Sequence, residues 1–205
     1  GGIGPSAHNE GFTVPFDLPN DTAYSETCAS IGLFLWGTRL AWLHQDAAYM
    51  DTAERVLYNA LIAGVSADGQ KFFYVNPLAS RGTHHRQEWY DCACCPPNIL
   101  RVLGNLPTYL YSQTGDAIAV NLYAGSSAEV RLDAGHVLLT QRTEYPWEGR
   151  VELLVNPERA FEFELRLRGP GWCEGASLSL NGQTVKCEPV KGYAPLRRVW
   201  NHGDR

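Results

Sequence analysis

The spacing of the apolar residues changes near residue 115, and this change divides the chain into two parts. From about 21 to 111 the apolar residues recur at helical intervals. After Thr114-Gly115-Asp116 they alternate with polar residues, which is the period of a half-buried strand. The sequence therefore predicts a helical part followed by an all-β part, with the boundary near 115.

Three segments of the first part are predicted to be helices. The first follows capping residues at 20–22 and continues through an apolar run to LAWLH, and the second is AAYMDTAERVLYNALIAGVS. The third is NILRVLGNLPTYLYS, with Pro96 or Pro97 in its first turn and a kink at Pro107. Five apolar residues of the second segment share one helical face: Ala53, Val56, Leu57, Ala60 and Leu61.

The second part contains five predicted strands: AIAVNLYA, AEVRLDA, HVLLTQRTEY, RVELLVN and FEFELRLRG. In the last of them, Phe161, Phe163, Leu165 and Leu167 alternate with charged residues. Within SLSLNGQTVKC, Asn181-Gly182 has the composition of a two-residue hairpin turn. Several short strands at this spacing are typical of a β-sandwich.

The charge distribution excludes some classes of partner. The net charge is −5, and Lys and Arg are scattered along the chain, which argues against binding to nucleic acid or to an anionic membrane surface. The apolar run IGLFLW is far too short to span a membrane. We therefore expect a globular protein with neither nucleic acid nor a membrane as partner.

The two ends and the cysteines bear on the protein's origin and compartment. The chain opens with GGIGP, without an initiator Met, and stops at WNHGDR after a strand-like stretch, so we expect part of a longer protein whose targeting signal lies elsewhere. Six cysteines are too few for a disulfide scaffold, and four of them crowd into one half, while Cys173 and Cys187 stand apart as ordinary thiols. Reduced thiols favour the bacterial cytoplasm as the location, with the periplasm as the alternative.

The segment YDCACCPPN, residues 90–98, places three cysteines within four positions. Cys94 and Cys95 are poor disulfide partners, because a bridge between neighbours strains the backbone. The two prolines that follow disfavour helical angles in the residues before them. We therefore expect both thiols in a non-helical turn just before a helix N-terminus, where the partial positive charge favours the thiolate.

Glu26 and Cys28 form an E-x-C pair. Side chains two residues apart point about 200° from each other on a helix but lie on one side of an extended segment. If both act together, the regular helix must begin near Thr27 or Cys28. With Cys94 and Cys95 they supply one carboxylate and three thiolates, a set that suits zinc, although buried inert thiols remain the alternative.

Nine short runs along the chain form a recognisable pattern: GGIG, NEGF, DLPNDTAYSETCASIG, ERVLYNALIAG, FFYVNPL, CACCPPN, NLYAGS, YPWEG and PGWC. They resemble glycoside hydrolase family 127, typified by a bacterial β-L-arabinofuranosidase, and E-T-C and C-C-P-P-N are the most specific among them. In that family an (α/α)6 barrel carries the active site and β-sandwich domains follow it. The resemblance implies a mixed multidomain fold, in which residues 1–115 are the C-terminal portion of the barrel and 116–205 the start of a β-sandwich.

The resemblance also implies a chemistry. Family members hydrolyse glycosides with retention, using a zinc-bound cysteine as nucleophile and a glutamate as acid/base, instead of the usual two carboxylates. On the matching positions, Cys94 is the nucleophile and Glu10, in NEGF, is the acid/base. Glu26, Cys28 and Cys95 complete the implied zinc ligands together with Cys94.

Two further residues, Glu54 and Tyr74, match positions where the family contacts the sugar. Each assignment has a plainer alternative: Glu10 as a solvated loop residue, Glu54 as a helix-surface residue, and Tyr74 as core packing. His84 and His85 are candidates for binding metal or sugar hydroxyls, or are simply exposed. Three more residues lie near the motif: Cys92 as a packed thiol, and Trp89 and Tyr90 as stacking or packing aromatics.

The leading hypothesis is therefore an enzyme that releases terminal β-L-arabinofuranosyl residues from an arabinose-containing oligosaccharide or glycoconjugate. One alternative is hydrolysis of another unusual plant-glycan sugar on the same fold. Another is a non-catalytic carbohydrate-binding protein with structural zinc, against which Glu10 argues, because a structural site needs no acid/base. A homodimer remains open, as do the sugar and its linkage.

Overall fold

The structure is a computed structural model that describes residues 4, 11–17 and 19–205. The chain divides into two compact units, one formed by Gly1–Leu40 and Thr52–Asn105, the other by Ala41–Asp51 and Leu106–Arg205. All the described strands belong to the second unit. The chain is thus a mixed α/β protein with a few helices and several sheets, and the predicted order of helices before strands is confirmed.

Three α-helices occur in the first half of the chain: α1 (Thr27–His44), α2 (Ala47–Arg55) and α3 (Cys95–Gly104). Helix α2 runs directly into a π-helical segment, Val56–Leu61, and a 3₁₀ turn, Ile62–Gly64. All three predicted helices are present. Helix α1 begins at Thr27, as the E-x-C pair required.

The third helix is shorter than predicted. Helix α3 ends at Gly104, a 3₁₀ turn follows at Leu106–Tyr109, and Tyr111–Thr114 forms strand β1. Proline has no backbone N–H to donate and disfavours helical angles in the residue before it. Pro107 therefore does not kink a continuing helix, as we predicted, but lies in a separate turn beyond its end.

The core of the first unit contains a narrow stripe from the second helical segment. Ala53, Leu57 and Leu61 are almost completely buried, and their spacing of four residues follows one row of a helix surface. Val56 and Ala60, which we placed on the same face, are only half-buried. Other buried apolar residues of this unit are Ile31, Phe34, Phe72, Ile99 and Val102.

A glycine marks the closest packing in this unit. A β-carbon at Gly64 would lie 3.0 Å from Cγ2 of Thr27 and 3.2 Å from Cδ1 of Ile99. Both distances are shorter than an ordinary carbon–carbon contact. The missing side chain thus lets the first turns of α1 and α3 pack closely against the same backbone segment.

The second unit contains two larger sheets and a hairpin. Its strands after β1 are β2 Ala117–Val120, β3 Ser126–Leu132, β4 Gly135–Thr143, β5 Val151–Pro157, β6 Phe161–Arg168, β7 Leu178–Leu180, β8 Gln183–Val185 and β9 Tyr193–Trp200. One sheet has the order β1-β2-β6-β9, with β2 and β6 parallel and the other pairs antiparallel. The other is the antiparallel meander β3-β4-β5, and β7 pairs with β8.

Both larger sheets contribute to one apolar core. Ile118 and Phe163 come from the first sheet, and Leu139 and Val155 from the second. The hairpin turn at Asn181-Gly182 has positive φ at both residues (51° and 82°), as the Asn-Gly dipeptide predicts. The five predicted strands are all present.

Strand β6 departs from its predicted alternation at its end. Phe161, Phe163 and Leu165 are buried as predicted, but Arg168, placed on the outer face, is 1% exposed. Its Nε donates to the Asn121 carbonyl oxygen at 2.6 Å. A second guanidinium nitrogen, Nη1, donates to Oδ1 of Asp51 at 2.5 Å, so the buried charge is both paired and hydrogen-bonded.

Among the described residues, no helix combines the length and the apolar character needed to cross a membrane.

Candidate metal centre

Glu26 and Cys28 are positioned by the start of α1. Glu26 is in extended backbone that bridges Val75, and the helix begins at the next residue. The Thr27 backbone N–H donates to the Tyr74 carbonyl oxygen at 2.9 Å, and the Thr27 hydroxyl donates to Phe73 O at 2.9 Å. These bonds fix the start of α1 at Thr27. Glu26, just before the helix, and Cys28, in its first turn, therefore bring their side chains to the same cluster.

Cys94 and Cys95 lie at the N-terminus of α3. Cys94 is the N-cap residue with helical angles (φ −80°, ψ −41°), and Cys95 is the first residue of the helix. The predicted non-helical turn is therefore wrong. The prolines disfavour helical angles but do not forbid them, and in the first turn of a helix the missing N–H groups would have had no intrahelical partner.

The structure brings the four predicted ligands together. One ligand atom from each of Glu26, Cys28, Cys94 and Cys95 lies within 4.8 Å of all the others. The Cys94 sulfur is 3.6 Å from the Cys28 sulfur, 3.7 Å from the Cys95 sulfur and 3.6 Å from Oε1 of Glu26. The Cys95 sulfur is 3.8 Å from the same oxygen. A cluster with one carboxylate and three thiols at these distances has the donor set and spacing to bind a metal ion.

The protein surroundings do not by themselves favour the thiolates. Burial raises the pKa of the Cys94 thiol, and burial with the neighbouring Cys28 raises that of Cys95. A hydrogen bond from Tyr74 to the Cys94 sulfur opposes this shift, because it stabilises the charged form. The same hydrogen bond is the main reason why the pKa of the Tyr74 hydroxyl is raised, so Tyr74 remains a donor. A bound cation would supply the stabilisation that burial removes.

Tyr74 thus lies at the cluster, and Tyr90 holds its backbone. The Tyr90 hydroxyl accepts from the Tyr74 N–H at 3.1 Å and donates to the Phe72 carbonyl oxygen at 2.8 Å. The rings of Tyr74 and Tyr90 meet edge to face, with centroids 5.5 Å apart. Tyr90, which we considered only as a stacking or packing aromatic, therefore positions Tyr74 through its hydroxyl.

The other candidates have different surroundings. Glu54 is 3% exposed, which rules out the alternative of a surface residue, although it is not one of the four clustered ligands. His84 stacks on Phe73 with centroids 4.9 Å apart, and its Nε2 lies 2.7 Å from the Val75 carbonyl oxygen.

Cys92 is exposed, so its description as a packed thiol is wrong. His84 and His85 take no part in the four-residue cluster. Trp89 is exposed. Glu10 lies outside the described residues.

The sequence pattern missed one neighbour of the cluster. Asn98, the last residue of CCPPN, donates from Nδ2 to the Cys28 sulfur at 3.3 Å. It follows Cys94 by four residues on α3, and its N–H bonds to the Cys94 carbonyl oxygen at 3.2 Å. Helical spacing from Cys94 was the available signal, since residues four apart share a helix face.

A cavity of about 670 Å³ lies within the second unit. Its lining is mainly apolar and includes Tyr123, Tyr145 and Trp172. The rings of Tyr145 and Trp172 stack with centroids 6.3 Å apart. Among the predicted site residues that the structure describes, none lines this cavity.

The sequence matches two family models. Residues 1–108 match the β-L-arabinofuranosidase GH127 catalytic domain, and residues 117–205 match the GH127 middle domain. A curated relative, the non-reducing end β-L-arabinofuranosidase of Bifidobacterium longum subsp. longum, is 35% identical over 221 residues, which is 100% of this chain and 33% of the relative.

Solved structures give the same result. A GH127 β-L-arabinofuranosidase from Geobacillus stearothermophilus T6 is 50% identical with a TM-score of 0.93, covering 100% of this chain and 34% of its own. A second GH127 β-arabinofuranosidase is 42% identical with a TM-score of 0.92, covering 99% of this chain and 34% of its own. The chain thus spans about a third of the length of these relatives.

Proposed function

Because this chain belongs to glycoside hydrolase family 127, we propose that it forms part of a retaining glycosidase that releases terminal β-L-arabinofuranosyl residues through a cysteine nucleophile. The observation that carries the proposal is the cluster of Glu26, Cys28, Cys94 and Cys95. A structural zinc site would use the same four residues, because such sites are four-coordinate. The family membership and the names of the relatives favour the enzyme.

Zinc fits the donor set and its spacing. Two sulfurs about 2.3 Å from a tetrahedral centre lie about 3.8 Å apart, and a sulfur and an oxygen about 3.5 Å apart. The contacts of the Cys94 sulfur, from 3.6 to 3.7 Å, agree with both values. When bound, zinc would keep the sulfurs deprotonated at neutral pH and make the Cys94 sulfur a better leaving group.

The chain's own residues would carry out two displacements. In the first, the Cys94 sulfur attacks the anomeric carbon while Glu10 donates a proton to the departing oxygen. In the second, water attacks the same carbon, Glu10 takes its proton, and the carbon–sulfur bond breaks. Two displacements at one carbon retain the configuration. We propose that the Tyr74 hydroxyl, which opposes the rise in the pKa of the Cys94 thiol, stabilises the thiolate in both steps.

The sugar contacts and the larger architecture belong to the same proposal. We propose that Glu54 and Tyr74 contact the arabinose ring, that residues 1–115 complete an (α/α)6 barrel, and that 116–205 begin the β-sandwich domain.

All six cysteines, each within the described part of the chain, are free. This agrees with the cytoplasm as the proposed compartment.

The test is to trap the nucleophile. The full-length protein is treated with an electrophilic probe of β-L-arabinofuranosyl configuration, and the label is located by mass spectrometry. We expect one label, on Cys94, and a first product that proton NMR identifies as the β-anomer. A label on Cys95 would reverse the roles of the two thiols, and an inverted first product would refute the mechanism.

A further inference from the structure

Asn98 connects the two halves of the cysteine cluster. It lies on α3, while Cys28, which accepts a hydrogen bond from its Nδ2 at 3.3 Å, is the second residue of α1. The Asn98 side chain is half-buried. An amide in this position is one of the few neutral groups that can donate to a thiolate without competing for the metal.

Arg101 fixes the orientation of that amide. An Nη2 of Arg101 donates to Oδ1 of Asn98 at 2.6 Å, three residues further along the helix. A guanidinium group can only donate, so the amide oxygen must face Arg101 and the amide nitrogen must face the sulfur. The direction of the N–H···S bond is therefore set by its second partner.

The charge of the cluster gives this bond a role. Three thiolates and a carboxylate around one divalent cation leave two negative charges uncompensated, and Glu26 and Cys95 are 1% and 0% exposed. Buried charge of this kind is stabilised by hydrogen-bond donors aimed at it. The Asn98 amide is such a donor, because its Nδ2 lies 3.3 Å from the Cys28 sulfur.

We propose that Asn98, oriented by Arg101, is a positioning residue of the metal site: its amide holds the Cys28 sulfur in the geometry of a ligand and offsets the excess negative charge. The inference rests on the proposed function, because it requires that the cluster binds zinc. It assigns to the last residue of CCPPN a task distinct from that of the two cysteines.

The first test measures zinc affinity by competition with a chromophoric chelator. Asn98→Asp keeps the shape and the acceptor for Arg101 but replaces the donor with a second anion, whereas Asn98→Ala removes the bond alone. Outer-shell partners of metal ligands typically change affinity about 10- to 100-fold, and we expect the aspartate variant at the upper end. Asn105→Asp, the same change at the other end of α3, is the control and should bind zinc as the wild type does.

A second readout does not depend on activity. In the cobalt-substituted protein, the sulfur-to-metal charge-transfer band reports the electron donation of the thiolates, and both Asn98 variants should shift it. If the variants fail to fold, NMR of the cadmium-loaded wild type still tests the proposal. An N–H···S bond transmits a scalar coupling from the Asn98 side-chain protons to bound ¹¹³Cd. We expect that coupling to be detected.

The outcomes separate the two proposals. If the wild type binds no metal at this site, the proposed function fails. If the wild type binds zinc and cleaves an arabinofuranoside, but the folded variants keep their zinc affinity and cobalt spectrum, only the role of Asn98 is overturned. The same holds if the cadmium-loaded wild type shows no coupling to Asn98.

Discussion

Zinc binding should release protons, and its affinity should rise steeply with pH. Burial raises the pKa of both Cys94 and Cys95, so both thiols hold their protons at neutral pH in the metal-free protein. A thiol must lose its proton to become a ligand. Each unit of pH below the thiol pKa therefore weakens binding about tenfold for each proton displaced.

The size of the effect follows from the number of thiols. The two protons displaced from Cys94 and Cys95 set a lower limit of about 100-fold, or about 2.7 kcal/mol, on the change in apparent zinc affinity per pH unit between about pH 6 and pH 8. The sign is fixed, because a raised thiol pKa favours the protonated, metal-free form. Chelator competition across this range gives the slope, and calorimetry in buffers of different ionisation enthalpy gives the number of protons released.

The control is Cys173→Ser, which removes an exposed thiol outside the cluster and should leave the slope unchanged. Cys95→Ser should lower both the affinity and the number of protons released. A slope below one, or release of less than one proton per zinc in the wild type, would refute the reasoning, since it would mean that the thiols are not ligands.

Three further predictions concern separate parts of the chain. Glu10→Gln should lower the rate of hydrolysis most for substrates with poor leaving groups. With activated aryl glycosides the Cys94 adduct should accumulate, and added azide should restore part of the turnover, as followed by mass spectrometry and kinetics. Asp51→Ala should lower the free energy of unfolding by about 3 to 5 kcal/mol in urea titrations, because the Arg168 side chain, 0% exposed, loses its charged partner. Burial raises the pKa of Tyr193 from 10.0 to about 12. About 3 kcal/mol of stability, fully present below pH 10, should therefore be lost as the pH rises through 12, and Tyr193→Phe should remove this part of the loss in alkaline denaturation.

Each of these has its own control or contrary outcome. Equal slowing of good and poor leaving groups, without adduct or rescue, would make Glu10 structural. Asp116→Ala removes an exposed ion pair with Arg197 and should change stability far less than Asp51→Ala does. If wild type and Tyr193→Phe lose stability in parallel above pH 10, other groups govern the alkaline transition.

Local sequence patterns predicted the elements but not the contacts that override them. The change of hydrophobic period correctly separated helices from strands, because it reflects which face of each element is buried. Strand β1 was missed because the predicted third helix extended through its first two residues to Ser112, and only pairing with β2, such as Tyr111 with Val120, makes it a strand. Arg168 was placed outward for a similar reason, because its partner Asp51 lies 117 residues away in sequence.

The candidate site shows the same division. Its four clustered residues could be named from two motifs and the chemistry of their side chains, and their roles remain predictions. The predicted conformation of Cys95 was wrong. Pro96 disfavours helical angles in the residue before it, but this effect is weaker than the preference for proline in a first helical turn. Asn98 was not identified, because its amide acquires a role only when folding brings the Cys28 sulfur to it.

The separation of the two motifs sets the order in which the site can be assembled during synthesis. Cys28 and Cys94 are 66 residues apart, an interval that a ribosome translates in about 3 to 13 seconds. During that time the nascent chain presents only a carboxylate and one thiol, too few ligands to hold a metal ion in a closed site. If the cluster binds zinc as we propose, the metal can be retained only after α3 has emerged and folded against α1, and until then the cysteines are open to oxidation.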